Sequence, residues 1–399
     1  MNSNKNIFFK YQFIILLAMF AIFMLGCTLV SQTGTQDQQG RNGNSQATAK
    51  ENIKLGLMMP LSGDAAAYGL PIQAAAQIAV DEINAKGGIN GQMLELVAED
   101  SKCNPKDGAT AAQKLVNVDQ VKVIIGGACS GETLGAAPIT EAAKVILFSP
   151  SATSPDVTNA GDYVFRVAPS DALAGKVAAN YAFDTLAKKK AVVFSETTDY
   201  AQGLRMVFGE NFKTAGGEVV ADETFTSEDT DMRTQILKAK SGNPDMIYIV
   251  AQTPAKAALL LKQLKEAGME QQIVASEVLL GRDFIVENPE LVEGQIGVEP
   301  RVDATAPKTA ALFAKYQEKT GEAVPWPQFI TGVYDAIYLV SDAIGQYGLD
   351  SDKIRDYLYD VKDYDGAIGS LTFDENGDAL LPYSVKQIKN GQAEEIGTA

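Results

Sequence analysis

Small hydroxyl side chains follow two apolar runs of the sequence, where they could hold an anion. The runs are residues 121–125 and 145–148, and the hydroxyls are Ser130, Thr133, Ser149, Ser151, Thr153 and Ser154. Such short runs are typical of parallel strands buried on both faces. In open α/β sheets, ligands bind beyond the carboxyl ends of the strands, where the next helix offers free N–H groups. The stretch therefore predicts a site for a small carboxylate-bearing molecule, although ordinary helix caps and turns explain the same hydroxyls.

Histidine is absent from all 399 residues. Its absence excludes Ser-His-Asp and Cys-His catalysis and removes the commonest zinc ligand and general base. The sequence also lacks the G-x-S-x-G, Walker A and G-x-G-x-x-G motifs. We therefore expect a protein that is not an enzyme and that uses no cofactor and no metal.

The composition is that of a globular protein with a full core. Hydrophobic residues make up 46% and charged residues 21% of the chain, and the formal net charge is −16. A strongly acidic body argues against nucleic acid and anionic membrane surfaces as partners, and solubility is the simplest explanation of the charge. The length suits two or three domains.

The amino terminus has the pattern of an export signal. Lys5 and Lys10 precede an uncharged apolar run, residues 13–25, and Gly26 and Cys27 follow it. The pattern resembles a bacterial lipoprotein signal, although Met24 stands where leucine is usual. We expect a signal peptide at 1–26, a lipid on Cys27 and a flexible tether at 27–51, which would hold the body at the outer face of the cell membrane or in the periplasm. An uncleaved anchor is the alternative, because residues 13–30 carry no charge.

Cys103 and Cys129 are the other two cysteines. In an exported protein two cysteines predict one disulfide, and a free pair is the alternative. The bond would fasten the loop that holds Cys103 to the turn that carries Ser130.

Strand-like and helix-like segments alternate along the chain from residue 53. The first unit includes strands at 53–59 and 93–99 and helices at 70–85 and 107–118, and the second runs from 173 to 276 in the same rhythm; helices at 309–320, 328–347 and 351–361 follow. Alternation of this kind predicts an α/β protein with two doubly wound, Rossmann-like lobes. Residues 371–373 and 383–388 predict a terminal hairpin around D-E-N-G-D, and the tail past residue 391 gives no signal.

Six motifs in order resemble the substrate-binding proteins of branched-chain amino acid ABC transporters, which are type I periplasmic binding proteins. The motifs are P-L-S-G-x-x-A-x-Y-G at 60–69, D-E-I-N-A-K-G-G-I-N-G at 81–91, G-G-A-C-S at 126–130, F-S-P-S-A-T-S-P at 148–155, D-Y-A-Q-G at 199–203 and L-T-F-D-E-N-G-D at 371–378. The resemblance covers residues 53 to about 391. It implies two lobes that close over a ligand like a clamp.

The resemblance also implies where the chain passes between the lobes. Residues 52–167 and 302–367 would form the N-terminal lobe, and 168–301 and 368–399 the C-terminal lobe. The three crossovers would lie near 166–170, 299–303 and 366–371.

The family's site carries over to matching positions of this sequence. Ser130 would hold the ligand's α-carboxylate together with backbone N–H groups, Ser151 would act through its main chain, and Thr153 would touch carboxylate and ammonium. Ala152, between the last two, is also expected among the ligand-binding residues. Tyr200 would close over the ligand, and Glu277 would pair with its ammonium. Tyr68, Ala128, Cys129 and Phe329 would line the side-chain pocket. Trp326 either enters the cleft or is structural.

Gln252 departs from the family, in which another aromatic follows the strand at 246–251 and stacks on the ligand. An amide adds hydrogen bonds and removes a π-face. The ligand implied is therefore a branched-chain or a more polar amino acid, or a small amide such as urea.

The expected function is that of an extracytoplasmic binding lipoprotein that delivers an amino acid to an ABC permease and its ATPase. Monomer is the family default. The alternative is a sensor on the same fold that reports occupancy to a signalling partner.

Overall fold

The computed structural model describes residues 51–398. The expected signal peptide, the lipidation site Cys27 and nearly all of the expected tether lie outside the described residues. Within 51–398, no helix is both long and apolar enough to cross a membrane.

Fourteen strands and twelve α-helices make up the described part of the chain. The strands are β1 Ile53–Met59, β2 Leu94–Asp100, β3 Val123–Gly126, β4 Ile146–Ser149, β5 Val164–Arg166, β6 Lys190–Glu196, β7 Glu218–Phe225, β8 Met246–Val250, β9 Gln272–Ala275, β10 Ile296–Pro300, β11 Tyr364–Asp365, β12 Ser370–Leu371, β13 Tyr383–Lys389 and β14 Gln392–Thr398. The helices are α1 Ala66–Ala85, α2 Pro105–Asn117, α3 Ser130–Ala143, α4 Asp171–Asn180, α5 Asp199–Thr214, α6 Arg233–Ser241, α7 Pro254–Glu266, α8 Arg282–Glu287, α9 Pro289–Val292, α10 Pro307–Thr320, α11 Pro327–Tyr347 and α12 Ser351–Tyr359.

Several helices begin where local sequence favours a start. Proline is the first residue of α2, α7, α10 and α11, where its missing N–H leaves no bond unmade. The side chains of Asn104, Thr198 and Thr253 each accept a hydrogen bond from an N–H of the first turn that follows. These caps fix the positions at which α2, α5 and α7 leave the edges of the sheets.

The first lobe is built on a parallel sheet in the order β2-β1-β3-β4-β5. Helices α10 and α11, which come much later in the chain, pack against α1 of this lobe. Tyr334 and Tyr338 of α11 donate hydrogen bonds to Glu82 of α1, and Lys315 of α10 forms an ion pair with the same carboxylate. The first lobe is therefore built from helices that precede the second lobe in the sequence and from helices that follow it.

The second lobe is built on a sheet in the order β14-β13-β10-β9-β8-β6-β7. The strands from β6 to β10 are parallel, while β13 and β14 run antiparallel at one edge. The central strands β8 and β9 are buried almost throughout, as their apolar sequences require. The α/β class with two doubly wound lobes, predicted from the sequence, is confirmed.

The chain crosses between the lobes three times, after β5, after β10 and before β13. The third crossing lies later than residues 366–371, where it was expected. Leu371, Phe373 and Leu381 belong to the core of the first lobe, whereas Tyr383 belongs to that of the second. Asp378 is bridged in parallel to Arg166, so the turn at 374–378 completes the edge of the first lobe before the chain leaves it.

The terminal hairpin predicted around D-E-N-G-D forms only as an antiparallel bridge between Phe373 and Ala379, and its predicted second strand, residues 383–388, pairs elsewhere. Strand β13 pairs with β14, in the tail that had given no signal, and with β10. Asn390 and Gly391 connect β13 to β14, with φ of 51° and 73°. Two consecutive positive φ values are typical of the tight Asn-Gly hairpin turn, so this local signal specifies the pairing that the sequence reading missed.

Candidate functional site

A small cavity lies between the lobes, at the carboxyl ends of strands from both sheets. It is lined by Tyr68, Ala128, Cys129, Ser130, Ser151, Tyr200, Gln252, Glu277, Val278 and Phe329. Its volume is ≈ 20 Å³, and the lobes meet beside it through the hydrogen bond from the hydroxyl of Tyr68 to the carbonyl of Gln252. Of the predicted ligand-binding residues, Ala152 and Thr153 do not line this cavity, but both are buried beside it in the turn after β4. Val278 lines it without having been predicted.

The first-lobe side of the cavity ends at the amino terminus of α3. Ser130 is the first residue of this helix, 1% exposed, and its Oγ accepts a hydrogen bond from the N–H of Ser154 at 3.1 Å. Ser151 Oγ donates to the carbonyl of Ala128 at 2.9 Å, which ties the turn after β4 to the turn after β3. The positive end of the helix dipole and its free N–H groups make this side suitable for an anion.

Two hydroxyls of the same stretch have structural roles instead. Ser149 Oγ donates to the carbonyl of Gly127 at 2.6 Å and accepts the N–H of Ala152 at 2.8 Å. Thr133 Oγ1 donates to the carbonyl of Cys129 at 2.9 Å. Both side chains fix the two turns, and neither lines the cavity.

Beneath Ser130, the disulfide predicted between Cys103 and Cys129 is formed, with Cα atoms 5.3 Å apart. Glu132, which the sequence reading did not single out, lies against it. Its carboxylate accepts the hydroxyl of Ser101 at 2.6 Å and the N–H groups of Cys103 and Cys129 at 2.9 and 3.0 Å. Burial raises the pKa of Glu132 to about 7. The bond and the carboxylate together hold the segment that presents Ser130.

The second-lobe side of the cavity carries Tyr200 and Glu277. Tyr200 is the second residue of α5 and is 4% exposed, and its hydroxyl donates to Glu277 Oε2 at 2.9 Å. The helix begins at Asp199 because the side chain of Thr198 caps it. Glu277 opens a short 3₁₀ helix, Glu277–Leu280, which Ser276 separates from β9.

Asp171 is a buried acid that sequence reasoning missed; it does not line the cavity, but its charge acts on Glu277 and Tyr200. It is the first residue of α4, 1% exposed, and its Oδ2 has no hydrogen-bond partner among residues 51–398. Its N–H donates to the carbonyl of Thr153 at 2.8 Å. Burial raises the pKa of Asp171 and of Glu277, and the charge of Asp171 raises the pKa of Glu277 further. The sequence shows at this position only an acid in the first turn of a helix, which is common. The burial of Asp171 is what distinguishes it from such residues.

Aromatic side chains of the first lobe close the apolar side of the cavity. The ring of Tyr68 lies 5.0 Å from that of Trp326 and 6.0 Å from that of Phe329, measured between centroids. Trp326 does not line the cavity; its Nε1 donates to the carbonyl of Ala67 at 2.9 Å, and its ring supports Tyr68 from behind. The tryptophan therefore has the structural role that was one of its two expected roles.

Gln252 lies between this cavity and the mouth of the cleft, two residues after the end of β8. It lines both the small cavity and a larger opening of ≈ 570 Å³. Its carbonyl accepts the hydroxyl of Tyr68 at 3.0 Å, which joins the two lobes. Within the described residues, no group of His, Cys, Asp or Glu side chains is arranged to hold a metal ion.

The chain is similar over most of its length to known binding proteins. It is 30% identical, over 84% of its length and 89% of the relative, to the leucine-, isoleucine-, valine-, threonine- and alanine-binding protein of Pseudomonas aeruginosa. Its structure is similar to that of the leucine-binding protein LivK of Thermotoga maritima, with a TM-score of 0.80 and 30% identity over 87% of this chain and 98% of that one. LivJ of Streptococcus pneumoniae, solved in complex with isoleucine, has a TM-score of 0.79 and 32% identity over 87% of this chain and 100% of its own.

The profile of the family described as periplasmic binding protein matches residues 52–393, nearly the whole of both lobes. This family consists of substrate-binding proteins, and the two-lobed architecture described above is its type I fold. The chain belongs to the periplasmic binding protein family, on the branch whose members bind branched-chain amino acids for ABC transporters.

Proposed function

We propose that this protein binds an aliphatic α-amino acid in the cleft between its lobes and delivers it to the permease of an ABC importer. The observation that carries the proposal is the opposite polarity of the two sides of one cavity. The first lobe presents the amino terminus of α3 at Ser130, and the second presents Glu277, with Asp171 buried nearby. A zwitterion is the small molecule that satisfies both sides at once.

The carboxylate of the ligand would accept hydrogen bonds from the hydroxyl of Ser130 and from N–H groups at the start of α3. Ser151 and Ala152 would act through the main chain of their turn, and Thr153 would contact the carboxylate and the ammonium. These donors are fixed before the ligand arrives, because Ser151 is tied to Ala128 and the disulfide holds Cys129. A prearranged site reduces the entropy lost on binding.

The ammonium of the ligand would be held by Glu277, Asp171 and the face of Tyr200. An ammonium removed from water without a partner is very costly, and two buried acids with one unbonded oxygen supply what it needs. The same argument disfavours ligands that carry only a negative charge.

The side chain of the ligand would lie against Tyr68, Phe329, Ala128, Cys129 and Val278, which are apolar or aromatic. This lining favours an aliphatic side chain, and the similar proteins described above are named for leucine, isoleucine and valine or hold isoleucine. Gln252 is the polar exception, so more polar amino acids and small amides such as urea belong in the test.

Delivery to a permease and ATPase places the body on the outer side of the membrane, tethered through a lipid on Cys27 as a monomer. The predicted export signal at 1–26 supports that location. A sensing role on the same fold would give the same binding result, and uptake of labelled amino acid by cells with and without the gene separates the two.

Titration calorimetry of the purified full-length protein, unfolded and refolded to remove bound ligand, tests the binding step. The panel holds the common amino acids, their amides and urea. We expect binding of an aliphatic amino acid that Glu277→Gln weakens at least 10-fold, while Glu287→Gln, an exposed acid of the same lobe, leaves it unchanged. Equal binding by the Glu277 variant, or binding of urea alone, would refute the assignment of the ammonium site.

A further inference from the structure

A chain of two hydrogen bonds links three residues across the mouth of the ligand cavity. The carboxylate of Glu196 accepts the N–H of Gln252 at 2.7 Å, and the carbonyl of Gln252 accepts the hydroxyl of Tyr68 at 3.0 Å. Glu196 and Gln252 belong to the second lobe and Tyr68 to the first. The second bond is therefore made only when the lobes are closed.

Glu196 is held firmly at the end of β6. It is 1% exposed, and its carbonyl accepts Nε2 of Gln202 at 2.7 Å. Burial raises the pKa of Glu196, and the bond from Gln252 and the charge of Lys256 oppose that rise. A buried carboxylate that accepts a backbone N–H is a strong and directional acceptor. Its position therefore fixes the main chain at Gln252.

Gln252 is a place where the main chain needs such support. It lies beyond the end of β8, past the last residue of that strand that pairs with a neighbour, so the sheet does not orient it. Its N–H and its carbonyl flank the same Cα atom, and fixing the first restricts the direction of the second. Without Glu196, the carbonyl could turn away from the first lobe.

Tyr68 on the opposite lobe is equally fixed. It is 5% exposed and its ring is packed against those of Trp326 and Phe329, so the hydroxyl has little freedom to follow a carbonyl that moves. A hydrogen bond between two rigid partners forms only if both are aligned beforehand.

We propose that Glu196 is a positioning residue for lobe closure, which holds the main chain of Gln252 so that its carbonyl receives the hydroxyl of Tyr68. The role rests on the proposed function, since closure over a ligand gives it its purpose. It depends on the backbone of residue 252, not on its side chain, and so is compatible with an amide where relatives carry an aromatic. It acts on the closed state and therefore on the rate of ligand release.

A double-mutant cycle tests the proposal, with Tyr68→Phe, Glu196→Ala and the two combined. The readouts are the dissociation rate of L-leucine by stopped flow and the interlobe distance by single-molecule fluorescence transfer. The fluorophores go on Val118→Cys and Leu237→Cys, which are 71% and 64% exposed on different lobes. Each single variant should release leucine about 5-fold faster, and the combined variant no more than about 10-fold faster, because both remove the same bond.

Three further variants keep the result specific. Glu196→Gln retains an oxygen acceptor and should restore release to within about 2-fold of wild type. Glu196→Asp, which withdraws the acceptor, should lie between wild type and Glu196→Ala and replaces the latter if it fails to fold. Glu223→Ala removes another buried acid of the same sheet, paired with Lys238 at 2.6 Å, and should not change release.

Fully additive effects of Tyr68→Phe and Glu196→Ala, or a Glu196→Ala variant no different from Glu223→Ala, would overturn the proposal. If the wild type binds no amino acid of the panel, the proposed function fails instead. The interlobe distances of the same proteins still decide the role of Glu196, because the bond between Tyr68 and Gln252 involves no ligand atom. The two failures are thus distinguishable.

Discussion

Arg166 and Asp378 form a buried ion pair within the first lobe, between the end of β5 and the turn at 374–378. Nε of Arg166 donates to Oδ1 of Asp378 and Nη2 donates to Oδ2, both at 2.6 Å, and the arginine side chain is completely buried. Nη1 of the same guanidinium donates to the carbonyl of Ser154 at 2.8 Å. One side chain therefore braces the edge of the first lobe and the turn that follows the ligand-binding hydroxyls.

The first prediction follows from this pair. Asp378→Asn should lower the free energy of unfolding by about 3 kcal/mol, because the variant leaves a buried guanidinium without its counter-charge. Amino acid affinity should also fall, since the turn at Ser154 loses its support. Urea unfolding at neutral pH measures the first effect and calorimetry the second.

The control for Asp378→Asn is an exposed pair. Lys265 and Glu290 are 3.4 Å apart with side chains 56% and 87% exposed, so Glu290→Gln should change stability by less than about 0.5 kcal/mol. Equal losses of unfolding free energy in Asp378→Asn and Glu290→Gln would show that burial does not strengthen the ion pair of Arg166.

The second prediction concerns the close approach of the lobes at Gly203 of α5. A Cβ atom at this position would lie 2.8 Å from Cδ of Pro155 and 3.0 Å from Oγ of Ser154, both on the other lobe. Gly203→Ala should therefore weaken ligand binding about 10-fold by disfavouring closure, while leaving each lobe folded. Calorimetry and thermal unfolding of the ligand-free protein separate the two effects.

Gly209, six residues along the same helix, is the matched control. A Cβ atom there would meet nothing within 4 Å. Gly209→Ala should stabilise the protein by up to about 1 kcal/mol through helix propensity and leave binding unchanged. Equal binding by both alanine variants would show that the contact at Gly203 does not limit closure.

Much of the fold was predictable because the elements that make it are locally encoded. Apolar runs predicted the buried strands, whereas the starts of α2, α10 and α11 were predicted one or two residues late, because the prolines that begin them were not used. The third crossover was not predictable, because it depends on the pairing of Arg166 with Asp378, more than 200 residues apart in the chain. The hairpin at Asn390 and Gly391 was encoded locally and was overlooked, since the tail around it shows no strong alternation.

The candidate site was predictable where motifs carried it. Ser130 and Tyr200, from two of the motifs, line one cavity together with Glu277, and the roles that the resemblance implies for them stay predictions. Asp171 was not predictable, because nothing in its neighbourhood distinguishes a buried acid from an exposed one in the first turn of a helix. The proposed role of Glu196 was not predictable either. It depends on the hydrogen bond from Gln252 to Glu196 and on that from Tyr68 to Gln252, which join distant parts of the chain.

The third prediction concerns the disulfide. Replacing Cys103 and Cys129 together by serine should lower the free energy of unfolding by on the order of 3 kcal/mol, because the bond closes a loop spanning 26 residues. Ligand affinity should change by less than about 3-fold, since Glu132 still accepts both N–H groups. A reducing agent should destabilise the wild type similarly and have no effect on the stability of the variant.

The fourth prediction is a proton released on ligand binding. Burial raises the pKa of Asp171 and Glu277 above the usual carboxyl range, in the case of Glu277 to a pKa of about 8. From about pH 4 to 8 the folded ligand-free protein thus holds more protons on this pair than the unfolded chain, and the pair's contribution to stability declines as pH rises. A ligand ammonium favours the ionised acids and displaces a proton. Affinity should therefore increase as pH rises through this window.

Calorimetry at pH 6.5 in buffers of different ionisation enthalpy measures the number of protons released. We expect close to one for the wild type and markedly fewer for Asp171→Asn, which removes one of the two buried acids. Asp184→Asn, at an acid outside the site on the helical turn that follows α4, should match the wild type. Proton release that is zero in the wild type, or unchanged in Asp171→Asn, would mean that the two acids do not share the ligand's ammonium. The pH dependence of affinity would then have to come from the ligand alone.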